Sequence, residues 1–185
     1  MGVGSSYKII KEIGKGAFGT VYLIEKDNKN YALKKIPINN IDNQANKYQD
    51  EINILSAFNN EYIIKYYDSK INKNDIEIFM EYGGDLNLKM FIENYKKKNQ
   101  LLKEEVIEDI IFQICSGLKE IHNKNIIHRD LTLENIFINE FNNIKIGDFG
   151  VSKKLGTMKR YVYTKTGKFH YNAPEIELQK NLIIR

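Results

Sequence analysis

The N-terminal half of the chain contains short segments in which apolar and polar residues alternate, the pattern of half-buried β-strands. The first three segments are separated by a glycine-rich stretch and by the turn-forming residues 27–30, which predicts an antiparallel meander. Two more apolar runs come after a segment with a helical pattern, and they predict two further strands. The five predicted strands are Tyr7–Ile13, Val21–Glu25, Tyr31–Ile36, Ile63–Tyr67 and Ile76–Tyr82.

A different spacing, with apolar residues recurring every three or four positions, predicts two helices. The first covers Asn43–Phe58, and the second covers Leu101–Asn123 and carries acidic residues in its first turn. Gly83 and Gly84 separate the strand-rich part of the chain from the helix-rich part. The order predicts an α+β fold, with a five-stranded antiparallel sheet and one helix in residues 1–82. Residues 83–185 form a second, mainly α-helical domain in this prediction.

Composition and charge narrow the class of protein. A chain of 185 residues with 42% hydrophobic residues is long enough to bury a sizeable core. Its formal net charge of +4 is spread along the chain and indicates no nucleic-acid partner. The single cysteine, Cys115, cannot form a disulfide within the chain, which favours a reducing, cytoplasmic location.

No segment indicates a membrane protein. No apolar run approaches the roughly 18 residues that a membrane span requires. The first residues match a short N-myristoylation pattern with its acceptor at Gly2, but glycine and serine near an N-terminus are common for other reasons. We therefore expect no membrane span and treat the pattern at Gly2 as weak. The sequence gives no indication of the oligomeric state.

A glycine-rich segment, Gly14-Lys15-Gly16-Ala17-Phe18-Gly19, is the first candidate for binding chemistry. A dinucleotide-binding loop would open a helix, whereas these glycines lie between two predicted strands. A Walker A loop would end in Gly-Lys-Ser/Thr, whereas Thr20 and Val21 follow here. Two interpretations stay open: an ordinary hairpin, or a hairpin whose backbone N–H groups fold over the phosphates of ATP.

Further motifs follow in a fixed order. They are Tyr31-Ala32-Leu33-Lys34, His128-Arg129-Asp130-Leu131-Thr132-Leu133-Glu134-Asn135, Asp148-Phe149-Gly150 and Ala173-Pro174-Glu175. In order and spacing they resemble the third strand, catalytic loop, D-F-G and A-P-E of the eukaryotic protein kinase family. Within that family, the amino-acid sequence of residues 31–36, 113–115 and 135–137 is most similar to that of the NIMA-related serine/threonine kinases.

The resemblance implies a bilobal kinase fold with a partial C-terminal lobe, and a use for each polar motif. Lys34 would contact the α- and β-phosphates of ATP, oriented by an ion pair with Glu51. Asp130 would be the catalytic base, and Asn135 and Asp148 would hold Mg²⁺. The residues implied in nucleotide binding are Ile13, Gly14, Gly16, Gly19, Val21, Ala32, Lys34, Met80, Glu81, Gly83 and Phe137.

The same resemblance assigns packing to several residues outside the polar motifs. Leu55, Tyr66, His128 and Phe149 would stack into a hydrophobic column between the lobes, which makes His128 a packed residue rather than a base. Asp85 would contact the ribose. In the activation segment, residues 148–175, Thr164 is the preferred phosphorylation site and Thr166 the next, with Arg129 pairing the phosphate.

The sequence departs from the family pattern in three places. Thr132 stands where serine/threonine kinases carry a lysine, and Lys168 stands where they carry a threonine. Either these two residues have exchanged their tasks beside Asp130, or Lys168 faces solvent. The chain also ends ten residues after Glu175, where the family's C-terminal lobe continues, so the resemblance implies a fragment of a longer protein.

The sequence therefore predicts an ATP- and Mg²⁺-dependent enzyme that phosphorylates serine and threonine hydroxyls of protein substrates. The alternative is a pseudokinase, a scaffold that binds ATP with weak or no turnover, suggested by Thr132, Lys168 and the early end of the chain. Against it, Lys34, Asp130, Asn135 and Asp148 are all present.

Overall fold

The computed structural model describes residues 6–16, 19–38, 45–155 and residue 171. Five strands form one antiparallel sheet in the spatial order β1-β2-β3-β5-β4. The strands are β1 (Lys8–Gly16), β2 (Gly19–Lys26), β3 (Lys29–Pro37), β4 (Tyr66–Ile71) and β5 (Asp75–Glu81). The predicted meander of the first three strands and the five-stranded sheet are confirmed.

The register of the sheet decides which side chains share a face. Val21 lies opposite Lys34, and Ala32 lies opposite Met80. Because side chains alternate along a strand, these four side chains lie on one face of the sheet. On the other face Ile24, Leu33 and Phe79 form a buried cluster, which partly buried tyrosine rings cover. The second face supplies stability, and the first is available for a ligand.

One predicted strand is displaced. The sequence predicted a strand over Ile63–Tyr67, whereas β4 begins only at Tyr66. Ile63 and Ile64 are 1% and 5% exposed, and the amide of Ile64 donates to the carbonyl of Ile146 at 2.9 Å. The two isoleucines therefore pack against the C-terminal part of the chain instead of extending the sheet.

Three helices complete the described part of the chain: α1 (Ala45–Ser56), α2 (Leu88–Lys97) and α3 (Glu104–Asn123). The two predicted helices correspond to α1 and α3, while α2 was missed. The α2 helix begins after Asn87, whose Oδ1 accepts a hydrogen bond of 2.9 Å from the amide of Met90. That side-chain cap satisfies one of the free N–H groups of the first turn.

Between residues 83 and 155 the structure has four short strands, β6 (Ile126–Ile127), β7 (Ile136–Ile138), β8 (Ile144–Ile146) and β9 (Lys153–Lys154). They pair as two small antiparallel ribbons, β7 with β8 and β6 with β9. The loops between these strands hold the polar motifs. Within the described ranges no helix is both long and apolar enough to cross a membrane.

A single hydrophobic cluster connects the sheet to the helical part. It joins Ile52 and Leu55 of α1 to Ile136 of β7 and Ile146 of β8, all nearly inaccessible to solvent. Burial of side chains of this size contributes about 1.5–3 kcal/mol each. The shared cluster fixes the sheet above the small ribbons and leaves a cleft between them.

Candidate functional site

The cleft contains a cavity of about 430 Å³ between the first face of the sheet and the β7–β8 ribbon. Apart from Asp85, every residue that the sequence assigned to nucleotide binding lines it, and so do Glu51, Asn135 and Asp148. Asp130 and Asp85, the predicted catalytic base and ribose contact, do not line it. Lys15 and Tyr82, which belong to the predicted glycine-rich loop and to the predicted purine-binding segment 81–83, also line it. The lining further includes residues that had not been predicted there: Leu55, Ile64, Glu134, Gly147 and Phe149.

The roof of the cavity is a hairpin made of β1 and β2. Gly16 pairs with Gly19 across the tip, and Gly14 lies opposite Val21. Gly19 has φ of 145°, and a Cβ there would lie 2.3 Å from the carbonyl oxygen of Lys35. Only glycine is compatible with this backbone geometry and this close approach.

The floor of the cavity is the ring of Phe137, packed between two glycines. A Cβ on Gly83 would lie 2.7 Å from Cγ of Phe137, and a Cβ on Gly147 would lie 2.9 Å from its Cε2. Each glycine therefore makes room for the ring. Gly147 was missed by the sequence reasoning, although its place directly before Asp148 was the available signal.

A buried ion pair closes the back of the cavity. Nζ of Lys34 lies 2.6 Å from Oε1 of Glu51, and the two side chains are 8% and 6% exposed. The same Nζ lies 3.8 Å from Oδ1 of Asp148, whose side chain is 53% exposed. A buried charge is stable only when it is paired, and Glu51 provides that partner for Lys34. The pair therefore holds the ammonium group of Lys34 beside the accessible carboxylate of Asp148.

The buried ring of His128 contacts the backbone of Asp130. Its Nε2 lies 2.9 Å from the carbonyl oxygen of Gly147, and its Nδ1 accepts a 3.3 Å hydrogen bond from the amide of Asp130. These partners require a neutral ring with the proton on Nε2. Burial lowers the pKa of His128, in agreement with that form. The predicted packing of His128 is confirmed, with its ring centroid 4.8 Å from that of Phe149.

Asn135 connects Asp130 to the cavity. Its Nδ2 donates to the backbone carbonyl of Asp130 at 2.8 Å and to Oδ2 of the same residue at 2.9 Å. Because the amide nitrogen is used in this way, the oxygen is the atom left to bind a cation. Carboxylate and amide oxygens are the hard ligands that Mg²⁺ prefers, so Asn135 and Asp148 suit that ion. Within the described ranges no group of three or more His, Cys, Asp or Glu residues forms a richer metal site.

Two residues of the site have left-handed backbone conformations without being glycine. The φ angles are 65° for Arg129 and 58° for Asp148. Such conformations are uncommon outside glycine and cost on the order of 1–3 kcal/mol each. Nε of Arg129 donates a 2.6 Å hydrogen bond to the carbonyl of Val151, which ties the first of these residues to the segment after the second.

Thr132 is deeply buried beside this loop. It is 1% exposed, and its hydroxyl oxygen has no hydrogen-bond partner among the residues the structure describes. It precedes a short 3-10 helix at Leu133–Asn135 but makes no capping hydrogen bond to it. The exchange predicted between Thr132 and Lys168, and the predicted phosphorylation sites Thr164 and Thr166, involve residues outside the described ranges.

The connector between the sheet and α2 runs along the edge of the cavity. Tyr82 donates a 2.6 Å hydrogen bond to Oδ1 of Asp85, and Nζ of Lys11 lies 2.9 Å from the same oxygen. These contacts lower the pKa of Asp85, with the bond from Tyr82 as the larger cause. The carboxylate predicted to contact a ribose is therefore held by Lys11 of β1.

The sequence matches the model of the protein kinase domain over residues 7–182. The chain belongs to the protein kinase domain family. This kinase domain is 38% identical over 178 residues to the probable serine/threonine-protein kinase nek3 of Dictyostelium discoideum. It is 31% identical over 175 residues to the serine/threonine-protein kinase Nek1 of Mus musculus, and 34% identical over 181 residues to the serine/threonine-protein kinase CLA4 of Candida albicans.

These matches cover 92–94% of the present chain but only 14–18% of the three relatives. The predicted bilobal kinase fold and the predicted resemblance to the NIMA-related kinases are confirmed. The kinase domain also explains why the motifs separated in sequence meet around one cavity.

Proposed function

We propose that the protein transfers the γ-phosphate of ATP to serine or threonine hydroxyls of other proteins. The observation that carries this proposal is the Lys34–Glu51 ion pair at 2.6 Å, with Asp148 3.8 Å away in a cavity roofed by glycines. An ammonium group held in this way is a fixed positive charge for phosphates. The kinase names of the relatives support the same reaction and the choice of serine or threonine.

Nucleotide binding follows from the shape and polarity of the cavity. We infer that a purine ring lies between the roof, made by Val21 and Ala32, and the floor, made by Phe137. The connector backbone of Glu81 and Gly83 then offers hydrogen bonds to the edge of the ring. Met80, opposite Ala32 in the sheet, limits the depth of the pocket. Phosphates extend beneath the hairpin of Ile13, Gly14, Gly16 and Gly19 toward Lys34.

The chemical step uses the catalytic loop. Asn135 and Asp148 would hold Mg²⁺, which would supply neutralisation of the charge that develops on the phosphate oxygens. Asp130 orients the substrate hydroxyl and takes its proton while the new O–P bond forms. The bond between the γ-phosphorus and the β–γ bridging oxygen breaks, and ADP leaves. The hydrogen bonds from Asn135 keep the carboxylate of Asp130 in place for this step.

We further propose a boundary between the two lobes at residues 82 and 83, and function in the cytoplasm. The change from sheet to helices at Gly83 supports the boundary. The single cysteine, exposed on α3, supports a reducing location. Protein substrates are implied by the kinase family.

The deciding experiment measures transfer of labelled γ-phosphate to a generic protein substrate such as myelin basic protein. We expect wild-type protein to transfer phosphate and Asp148→Asn to lose transfer by at least a hundredfold. Asp27→Asn is the matched control, because Asp27 also has a positive φ, 49°, and lies in the exposed turn between β2 and β3. Binding of Mg-ATP without any transfer by the wild-type protein would instead favour the ATP-binding scaffold.

A further inference from the structure

An ion pair joins the connector to the ribbon that carries the cavity floor. Nζ of Lys145 lies 3.0 Å from Oε2 of Glu81, and the two side chains are 27% and 25% exposed. The same Nζ donates a 2.9 Å hydrogen bond to the carbonyl oxygen of Glu61. Lys145 therefore has two acceptors, a carboxylate and a backbone carbonyl.

Glu81 is held from a second direction. Its Oε2 accepts a 3.1 Å hydrogen bond from the amide of Lys65, and its own amide donates to the carbonyl of Lys65 at 2.8 Å. The carboxylate at the end of β5 is thus fixed to both neighbours of the connector, the segment before β4 and the strand β8. These contacts restrict the movement of the Glu81 side chain and of the backbone at this residue.

Lys145 lies on the strand next to the one that carries the cavity floor. In the β7–β8 ribbon Lys145 lies directly opposite Phe137, whose ring is the floor of the cavity. Glu81, the last residue of β5 before the connector, lines the cavity. The ion pair therefore connects the strand opposite the floor to the residue at the edge of the cavity, the two surfaces that a flat ring would contact together.

We propose that Lys145 is a positioning residue for the nucleotide, acting through the carboxylate of Glu81. The inference deepens the proposed function and rests on it. The ion pair keeps the connector at the height above Phe137 at which a purine is both stacked and hydrogen-bonded. Without Lys145 the connector samples other positions, and the nucleotide binds only in the fraction of molecules with the correct spacing.

The expected effect is on binding and not on the transfer step. We expect Lys145→Met to raise the KM for ATP and the Kd for a fluorescent ADP analogue with Mg²⁺ by three- to tenfold, with kcat within twofold of wild type. A loss of this kind, in KM alone, is the signature of binding shared by ground state and transition state. Lys145→Arg, which keeps a charge able to reach Glu81, is expected to restore most of the affinity.

A matched control is present in the same chain. Lys124 pairs with Glu120 on α3 at 3.3 Å, with side chains 37% and 31% exposed, and neither residue lines the cavity. Lys124→Met removes the same side chain from a similarly exposed pair, so it should leave KM and Kd unchanged. Thermal unfolding of each variant without nucleotide separates loss of folding from loss of binding.

Two further variants complete the test: Glu81→Gln alone, which probes the same contact if Lys145→Met folds poorly, and the double variant, which closes a double-mutant cycle if it folds. Glu81→Gln preserves the shape of the partner, and the effects of the two changes on Kd should be strongly non-additive if they act through one contact. The inference is overturned if Lys145→Met and Lys124→Met have the same Kd, if Lys145→Met binds nucleotide more tightly, or if kcat alone falls. A wild-type protein that binds no Mg-ADP would overturn the proposed function itself, which is a different outcome.

Discussion

The buried pair of Lys34 and Glu51 allows a prediction in which stability and activity separate. Both side chains are more than nine-tenths buried, so removing one partner leaves a charge without compensation in the core. Loss of one member of such a pair costs about 3–5 kcal/mol. That is a large part of the roughly 5–15 kcal/mol that stabilises an ordinary domain. For a chain of this length we expect Lys34→Met to lower Tm by roughly 6–20 °C.

The double variant Lys34→Met/Glu51→Leu should reverse this loss. Replacing a buried pair by apolar side chains of similar volume is often neutral or stabilising. We therefore expect the double variant to unfold near the wild-type temperature, although it transfers no phosphate. Without its lysine the cavity has lost its fixed positive charge, and stability cannot restore that.

Thermal unfolding followed by fluorescence, together with urea titration, measures both effects. Lys124→Met serves as the exposed-pair control and should change stability by less than about 1 kcal/mol. The reasoning is refuted if Lys34→Met unfolds within 2 °C of wild type, or if the double variant is as unstable as the sum of the single ones.

Two other variants test the burial around the catalytic loop. Thr132→Val removes a buried hydroxyl that lacks a partner in the described part of the chain. We therefore expect this variant to stabilise the fold by about 1–3 kcal/mol, measured by thermal unfolding. A Tm below that of wild type would instead reveal a partner for the hydroxyl. His128 has a lowered pKa because of its burial, so the folded state binds fewer protons than the unfolded state as the pH falls below about 6.5. Stability should therefore drop between pH 7 and pH 5, and His128→Asn should reduce this drop while His122→Asn, at an exposed position of α3, should not.

The sequence anticipated most of the residues that line the cavity because they lie in motifs with local spacing. Ala32 and Lys34 are two residues apart on one strand, so their side chains lie on the same face and both reach the cavity. Asn135 follows Asp130 closely enough for one loop to bring their side chains within 2.9 Å. Features of this kind depend on backbone geometry that neighbouring residues determine, which is why a linear pattern reveals them.

The features that were missed depend on contacts between distant segments. Ile63 and Ile64 read as a strand because they are β-branched, but their burial against β8 overrides that preference. The pairing of Lys145 with Glu81 joins two charged residues that each look like ordinary surface positions in the sequence. Helix α2 is a different case, because the helical spacing of Leu88, Phe91, Ile92 and Tyr95 was present in the sequence and could have predicted it.

The left-handed backbones of Arg129 and Asp148 have a consequence for engineering this domain. A stability-driven redesign would replace both residues with glycine, because the present side chains make the conformation less favourable. Such a redesign would gain thermal resistance by deleting the carboxylate that we propose as a Mg²⁺ ligand and the guanidinium that bonds to the carbonyl of Val151. If the proposed function is correct, libraries screened for heat tolerance alone should therefore drift toward variants that have lost phosphate transfer.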